Sequence, residues 1–176
     1  MDLRDDIKKS LEVLNSGGIL LYPTDTVWGL GCDATNYQAV DKIYKIKRRI
    51  ESKSLIILID AIESLASYVR KVPEITSDLL KSIDNPVTII YSNARNLAPN
   101  VVAGDGTIGI RIVEDVFCTE LIRQFGRPIV STSANISGEE TPSLFSHISQ
   151  EVKDEVDYIV KYRQDMFTRA RPSTAI

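Results

Sequence analysis

Sulfur and imidazole are scarce in this chain: its 176 residues include two cysteines and one histidine. Cys32 and Cys118 show no metal-ligand spacing and read as small buried apolar residues rather than catalytic thiols. His147 stands among Ser146, Ser149 and Gln150, with no second histidine in the chain, and reads as a surface residue. No apolar run approaches bilayer length. The longest, residues 19–22 and 55–59, are strand-sized, so no membrane partner is expected. The N-terminus lacks the basic start and apolar core of a secretory signal, and a reducing cytoplasm is the expected location. Neither a Walker loop nor a G-x-G-x-x-G after a strand occurs, which argues against a P-loop NTPase and a Rossmann dehydrogenase. Positive charge is not in excess either: 21 Lys and Arg against 24 Asp and Glu give a net charge of -3, with a pI of 5.3. Such a protein does not coat nucleic acid over its whole surface, and any RNA contact must be local.

With 43% apolar residues the chain can bury a sizeable core, and one domain over residues 1–176 is expected. Leu3, Ile7, Leu11 and Leu14 recur at helical spacing before the stop signal Gly17-Gly18. The apolar run Ile19-Leu20-Leu21 then predicts a strand opening into a polar loop, Tyr22-Pro23-Thr24-Asp25-Thr26-Val27-Trp28-Gly29-Leu30-Gly31. Asn36 can cap a second helix whose inner face is Val40, Ile43 and Tyr44. Lys47 follows Tyr44 by three residues and Val40 by seven, so it emerges from that same face at the helix C-terminus. The unbroken run Leu55-Ile56-Ile57-Leu58-Ile59 suits a central strand covered on both faces. Helical segments are expected around residues 62–69 and 75–83, and strands over residues 87–91 and 107–113. In the latter, Ile108, Ile110 and Ile112 point one way and Arg111 the other. Asp115 caps a helix packed through Phe117, Leu121, Ile122 and Phe125 and stopped at Gly126. Strands alternate with helices and no repeat interrupts them, so the expected class is an α/β domain with a mixed sheet.

Four features could carry chemistry. The Thr/Asp loop gathers hydroxyls and a carboxylate at a sheet edge, although an ordinary strand-to-helix connection would use the same residues to satisfy backbone groups. Lys42, Lys45, Lys47, Arg48, Arg49 and Lys53 form the densest basic cluster, read either as an anion site or as a solvated helix face. Ser131-Thr132-Ser133-Ala134-Asn135-Ile136-Ser137-Gly138 is a second polar loop after an apolar strand, suited to phosphate oxygens, to a ribose or to a capped turn. The terminal Arg169-Ala170-Arg171-Pro172-Ser173-Thr174 would ordinarily be a disordered tail. Together, two polar strand-end loops, a Lys-x-Arg at a helix end and an arginine pointing off a strand suggest a nucleotide-phosphate site.

These pieces resemble one family over nearly the whole chain: the YrdC/TsaC-type threonylcarbamoyl-AMP synthases. The matching residues are Tyr22-Pro23-Thr24-Asp25-Thr26 with Gly29-Leu30, Lys47-Arg48-Arg49, Pro86-Val87-Thr88, Gly109-Ile110-Arg111, Ser131-Thr132-Ser133-Ala134-Asn135 and Ser173-Thr174. Each is weak alone, and their order along one domain is what makes them specific. The chain departs from the family at Trp28, where Tyr is usual, and at Lys53-Ser54-Leu55 and Arg111-Ile112-Val113, where a proline is usual. The resemblance implies the short, single-domain form, a twisted mixed sheet with flanking helices and a concave basic face (a YrdC-like or dsRNA-binding-like fold). It implies a nucleotidyltransferase that makes threonylcarbamoyl-AMP and pyrophosphate from L-threonine, bicarbonate and ATP. Lys47 and Arg49 would be catalytic and clamp the phosphates, and Arg111, Ser133, Asn135, Ser173 and Thr174 would complete the ATP site. Thr26, Lys53 and Thr88 would lie at the threonine end. Mg²⁺ would arrive with ATP, and no protein-held metal is implied. A threonylcarbamoyl transferase complex would receive the product for tRNA modification, with direct tRNA contact left open. The alternatives are a paralogue of this fold acting on another acceptor, and an RNA-binding module without synthase activity.

Overall fold

The structure is a computed structural model that describes residues 2–49, 55–166 and 173–176. Helix α1 (Leu3–Asn15) buries Ile7 and Leu14 from its apolar stripe, and Gly17 ends it in the left-handed region at φ 76°, where a residue without Cβ is favoured. Strand β1 (Leu20–Tyr22) is wholly buried. Helix α2 (Tyr37–Lys47) begins at Asn36, whose side chain accepts the Ala39 N–H at 3.1 Å. Strand β3 (Ile56–Ile59) follows, then α3 (Leu65–Tyr68), α4 (Thr76–Ser82), β4 (Val87–Tyr91) and β5 (Ile108–Ile112). Helix α5 (Val116–Phe125) is capped by Asp115, which accepts the Cys118 N–H at 3.1 Å, and stops at Gly126 with φ 77°. Strand β6 (Ile129–Ser133), helix α6 (Gln150–Glu155) and the short strands β7 (Tyr158–Ile159) and β8 (Thr174–Ala175) complete the order.

One polar stretch hides a strand that its composition did not announce. Gly29–Gly31 forms β2, antiparallel to β1 with Leu20 opposite Gly31 and Tyr22 opposite Gly29, so the loop proper is residues 23–28. Two glycines weaken strand propensity, and here packing decides instead. A Cβ at Gly31 would lie 2.5 Å from the Tyr22 ring and 2.6 Å from the Val130 carbonyl. The Tyr22 ring crosses that gap, and its hydroxyl donates to the same carbonyl at 2.8 Å.

Among the described residues, eight strands form one mixed sheet in the order β7-β1-β2-β6-β3-β5-β4-β8. Helices flank it, as the α/β reading expects. Strand β3 is interior, parallel to β5 and antiparallel to β6. Its alternation feeds both faces: Ile57 and Ile59 join the cluster built on Val40, Ile43 and Tyr44 of α2, while Leu58 joins that of Phe117 and Leu121 of α5 and Ile7 of α1. The same period sends Ile108 and Ile110 to the α2 side and Arg111 to the other. Strand β6 runs through Ser133, so residues 131–133 are strand rather than loop. At the far edge, β8 lies parallel to β4, and the Ile90 N–H donates to the Ile176 carbonyl at 2.8 Å, so Thr174–Ala175 is a short edge strand rather than a loose tail.

Candidate functional site

A cleft of about 300 Å³ opens where β2, β5 and β6 lie near the Thr24–Thr26 turn, and its lining includes Thr26, Arg111, Ser131, Ser133, Thr141 and Ser173. Distant sequence segments therefore meet on one surface, and four of the expected residues (Thr26, Arg111, Ser133 and Ser173) line it. Thr26 is set by its own turn. The Thr24 hydroxyl donates to the Val27 carbonyl at 2.7 Å and accepts the Thr26 N–H at 3.1 Å, a local closure typical of short hydroxyl residues. Thr88 lies behind Ser173, the two hydroxyl oxygens 2.9 Å apart. Thr174 is exposed beside them in β8 and does not line the cleft.

Lys47 reaches the site from behind. It is only 2% exposed, and its ammonium donates to the Ser133 carbonyl at 2.7 Å, the Asn135 carbonyl at 2.9 Å and the Asn135 side-chain oxygen at 3.2 Å. Its three protons thus have three protein acceptors. Burial, with the Arg49 charge adding to it, pushes the Lys47 ammonium down to about 8. The turn it grips is itself cross-braced. The Ser133 hydroxyl donates to Asn135 Oδ1 at 2.5 Å, Asn135 Nδ2 donates to the Glu139 carbonyl at 2.7 Å, and the Ser137 N–H donates to the Lys47 carbonyl at 2.9 Å. Helix α2 ends here because Arg48 turns left-handed at φ 51°, which lets the Arg49 N–H close on the Tyr44 carbonyl at 2.9 Å. Arg49 is half-buried beside this turn. Lys53, like Arg169 and Arg171 of the basic tail, lies outside the described residues.

Other cleft residues carried weaker signals. Ser131 and Thr132 stood in the Ser131–Asn135 stretch without an individual role, and Asp25, which pairs with the cleft residue Arg111, stood in the Thr/Asp loop without one. Thr141 had no local signal at all, because chain return after residue 138 brings it in. Among the described residues no group of three or more His, Cys, Asp or Glu could hold a metal ion. Hydroxyls and one arginine dominate the cleft, so these residues do not build a resident divalent-cation site. Also among the described residues, no helix is long and apolar enough to cross a membrane.

The family model for Sua5, YciO and YrdC proteins, described as telomere recombination, matches residues 12–176. The chain belongs to this family. It is 32% identical over 177 residues to the threonylcarbamoyl-AMP synthase of Pseudoalteromonas translucida, covering 99% of this chain and 94% of that one. It is 37% identical over 153 residues to the threonylcarbamoyl-AMP synthase of Hahella chejuensis, covering 86% and 83% respectively. Among solved structures, P. abyssi Sua5 complexed with L-threonine superposes with a TM-score of 0.83 at 28% identity, covering 90% of this chain. The Sua5/YciO/YrdC domain here spans 47% of that longer protein.

Proposed function

We infer that the chain is an L-threonylcarbamoyl-AMP synthase, a nucleotidyltransferase acting on L-threonine, bicarbonate and ATP. The observation that carries this reading is the convergence of Thr26, Arg111, Ser133 and Ser173 on one cleft, with Lys47 anchored behind it, in a chain of this family. In the reaction the threonine amine condenses with bicarbonate to a carbamate, releasing water. A carbamate oxygen then attacks the α-phosphorus of ATP, the bond to the bridging oxygen breaks, and pyrophosphate leaves.

Such a displacement needs alignment and charge neutralisation rather than a covalent nucleophile. Arg111 offers a buried guanidinium, whose planar fork suits a phosphate or carboxylate oxygen. Ser133 and Asn135 present the turn that faces the nucleotide. Lys47 holds that turn and supplies positive charge from beneath it, and Arg49 supplies a second charge beside it. Thr26 and Thr88 are assigned to the amino-acid end, where the family resemblance also puts Lys53, and Ser173 closes the β8 side. Mg²⁺ enters as the Mg·ATP form of the substrate, carried by the phosphates.

The product is a mixed anhydride and hydrolyses readily, so a transferase complex takes it over in the cytoplasm for threonylcarbamoylation of tRNA. To test the reading, the purified chain is incubated with Mg·ATP, bicarbonate and L-threonine, omitting each in turn, and pyrophosphate is measured. Release that requires all of them supports the synthase. Tight ATP binding without release would point to a different acceptor, and absence of ATP binding would overturn the reading.

A further inference from the structure

The acidic half of the best-buried ion pair among the described residues has no part in the reading so far. Arg111 is 3% exposed, and its Nη2 lies 3.1 Å from Oδ1 of Asp25, whose side chain is 12% exposed. The approach is electrostatic rather than a well-aligned hydrogen bond: Asp25 Oδ1, Arg111 Nη2 and Arg111 Nε all lack hydrogen-bond partners among the described residues. A buried guanidinium with donors to spare, lining a cleft, suits an anionic oxygen. Asp25 neutralises the cation without saturating it.

Asp25 is the carboxylate that pairs with Arg111, although Glu114 and Asp115 lie nearby. On its other side it borders a second cavity of about 300 Å³, floored by Ile62, Leu80, Ile83, Val87 and Ile112, with Lys81 at the rim. Beside it, Asp115 is half-buried, and its carboxyl is pushed up first by that burial, with the Asp25 charge contributing in the same direction. The Arg163 charge opposes that rise at Asp115, and its Nη1 donates to the Thr24 carbonyl at 3.4 Å. The loop carrying Asp25 is pinned by the Thr24 hydroxyl at both Val27 and Thr26, so the carboxylate is presented by a fixed turn. Across the sheet, Thr88 and Leu58 are the residues paired with Arg111, and neither carries a charge.

We propose that Asp25 is a positioning residue for the synthase reaction: it fixes the Arg111 guanidinium against the cleft while leaving donors for the anionic substrate oxygen. The proposal rests on the reading of this cleft as the synthase site. Neutralising Asp25 has two opposed effects. It removes a competitor for the cation, which favours ground-state anion binding, and it frees the side chain to leave the reacting geometry, which lowers turnover. A residue needed only for folding would not produce that split.

The test compares wild type, Asp25→Asn, Asp25→Glu, Arg111→Met and the Asp25→Asn/Arg111→Met double variant. Pyrophosphate release gives kcat and the KM for ATP, calorimetry gives the ATP Kd, and thermal melts check folding. Asp25→Asn is expected to lower kcat about tenfold with KM for ATP unchanged or lower, and Asp25→Glu to fall between Asn and wild type. On the Arg111→Met background Asp25→Asn should add no further loss. Wild-type kcat in Asp25→Asn, or a loss that multiplies fully with that of Arg111→Met, overturns the proposal. Should Asp25→Asn fail to fold, Asp25→Glu is read in its place, and wild-type kcat there is equally fatal. Failure of the synthase reading would show separately, as no threonine-dependent pyrophosphate from wild type. The cycle is then read in ATP Kd, where coupling between the two residues supports the pair and additivity refutes it.

Discussion

Raising the pH should silence Lys47 without a mutation. Its ammonium is held down at about 8 by burial and, second, by the Arg49 charge. About nine-tenths of the molecules therefore carry the charge at pH 7 and about one-tenth at pH 9. The neutral amine has two donors for the three acceptors at Ser133 and Asn135, and it no longer contributes charge to the cleft. kcat/KM for ATP should then fall about tenfold across that interval, reporting the free protein, whereas the limb in kcat should move to higher pH because bound phosphate favours the ammonium. Threonine's own amine becomes a better nucleophile over the same range. The quantity to follow is accordingly the ratio of wild type to Lys47→Arg, since the guanidinium stays charged throughout. Stability has the opposite sign. The folded value lies below the ordinary lysine value of 10.5, so the unfolded chain binds this proton more tightly. The resulting penalty is full below about pH 8 and relaxes as the pH rises toward about 10.5. Lys47 itself therefore gives no reason for unfolding in the window where activity drops, and melts at each pH check this. A ratio that stays level from pH 7 to pH 9.5 would refute the reasoning.

Lys47→Ala and Arg49→Ala should each remain folded and lose about a hundredfold in rate, on the order of 3 kcal/mol of transition-state stabilisation, measured as pyrophosphate release beside circular dichroism. Gly31→Ala should lower the melting temperature, with a cost of about 1–3 kcal/mol, because the new Cβ meets the Tyr22 ring at 2.5 Å and backbone at 2.6 Å. An unchanged melt would mean that the β1–β2 packing is looser than described. Thr88→Val removes the 2.9 Å contact with Ser173 and should weaken β8 docking by about 1 kcal/mol, seen as faster amide exchange at Ile176. Chelating Mg²⁺ should abolish pyrophosphate release while leaving the melting temperature within about 1 °C, because the ion is proposed to arrive with ATP; a large drop would reveal a resident metal.

Local chemistry was what the sequence carried most plainly. Asn36, Asp115, Gly17 and Gly126 each act within a few residues of their own position, and all four helix boundaries they mark are present. Lys47 on the buried face of α2 was legible for the same reason, through its spacing from Val40 and Tyr44. Its partners were not: Ser133 and Asn135 lie 86 and 88 residues away, and only the placement of β6 beside β3 and β2 brings them under the ammonium. Strand β2 was hidden because its glycines serve close packing instead of local propensity, Gly31 against Tyr22 and Val130 and Gly29 against Thr132. Strands β7 and β8 have two residues each, too few for any period to show. Asp25 was visible as part of a motif, but its pairing with Arg111 follows from sheet geometry alone.

The most direct test of the central claim follows the carbon. The protein is supplied with ¹³C-bicarbonate, L-threonine and Mg·ATP, the reaction is quenched within seconds, and the adenylate is weighed by mass spectrometry. A threonine-containing adenylate heavier by the one labelled carbon, accompanied by pyrophosphate, is the predicted result. An adenylate without the label, or ATP breakdown independent of threonine, would contradict the account.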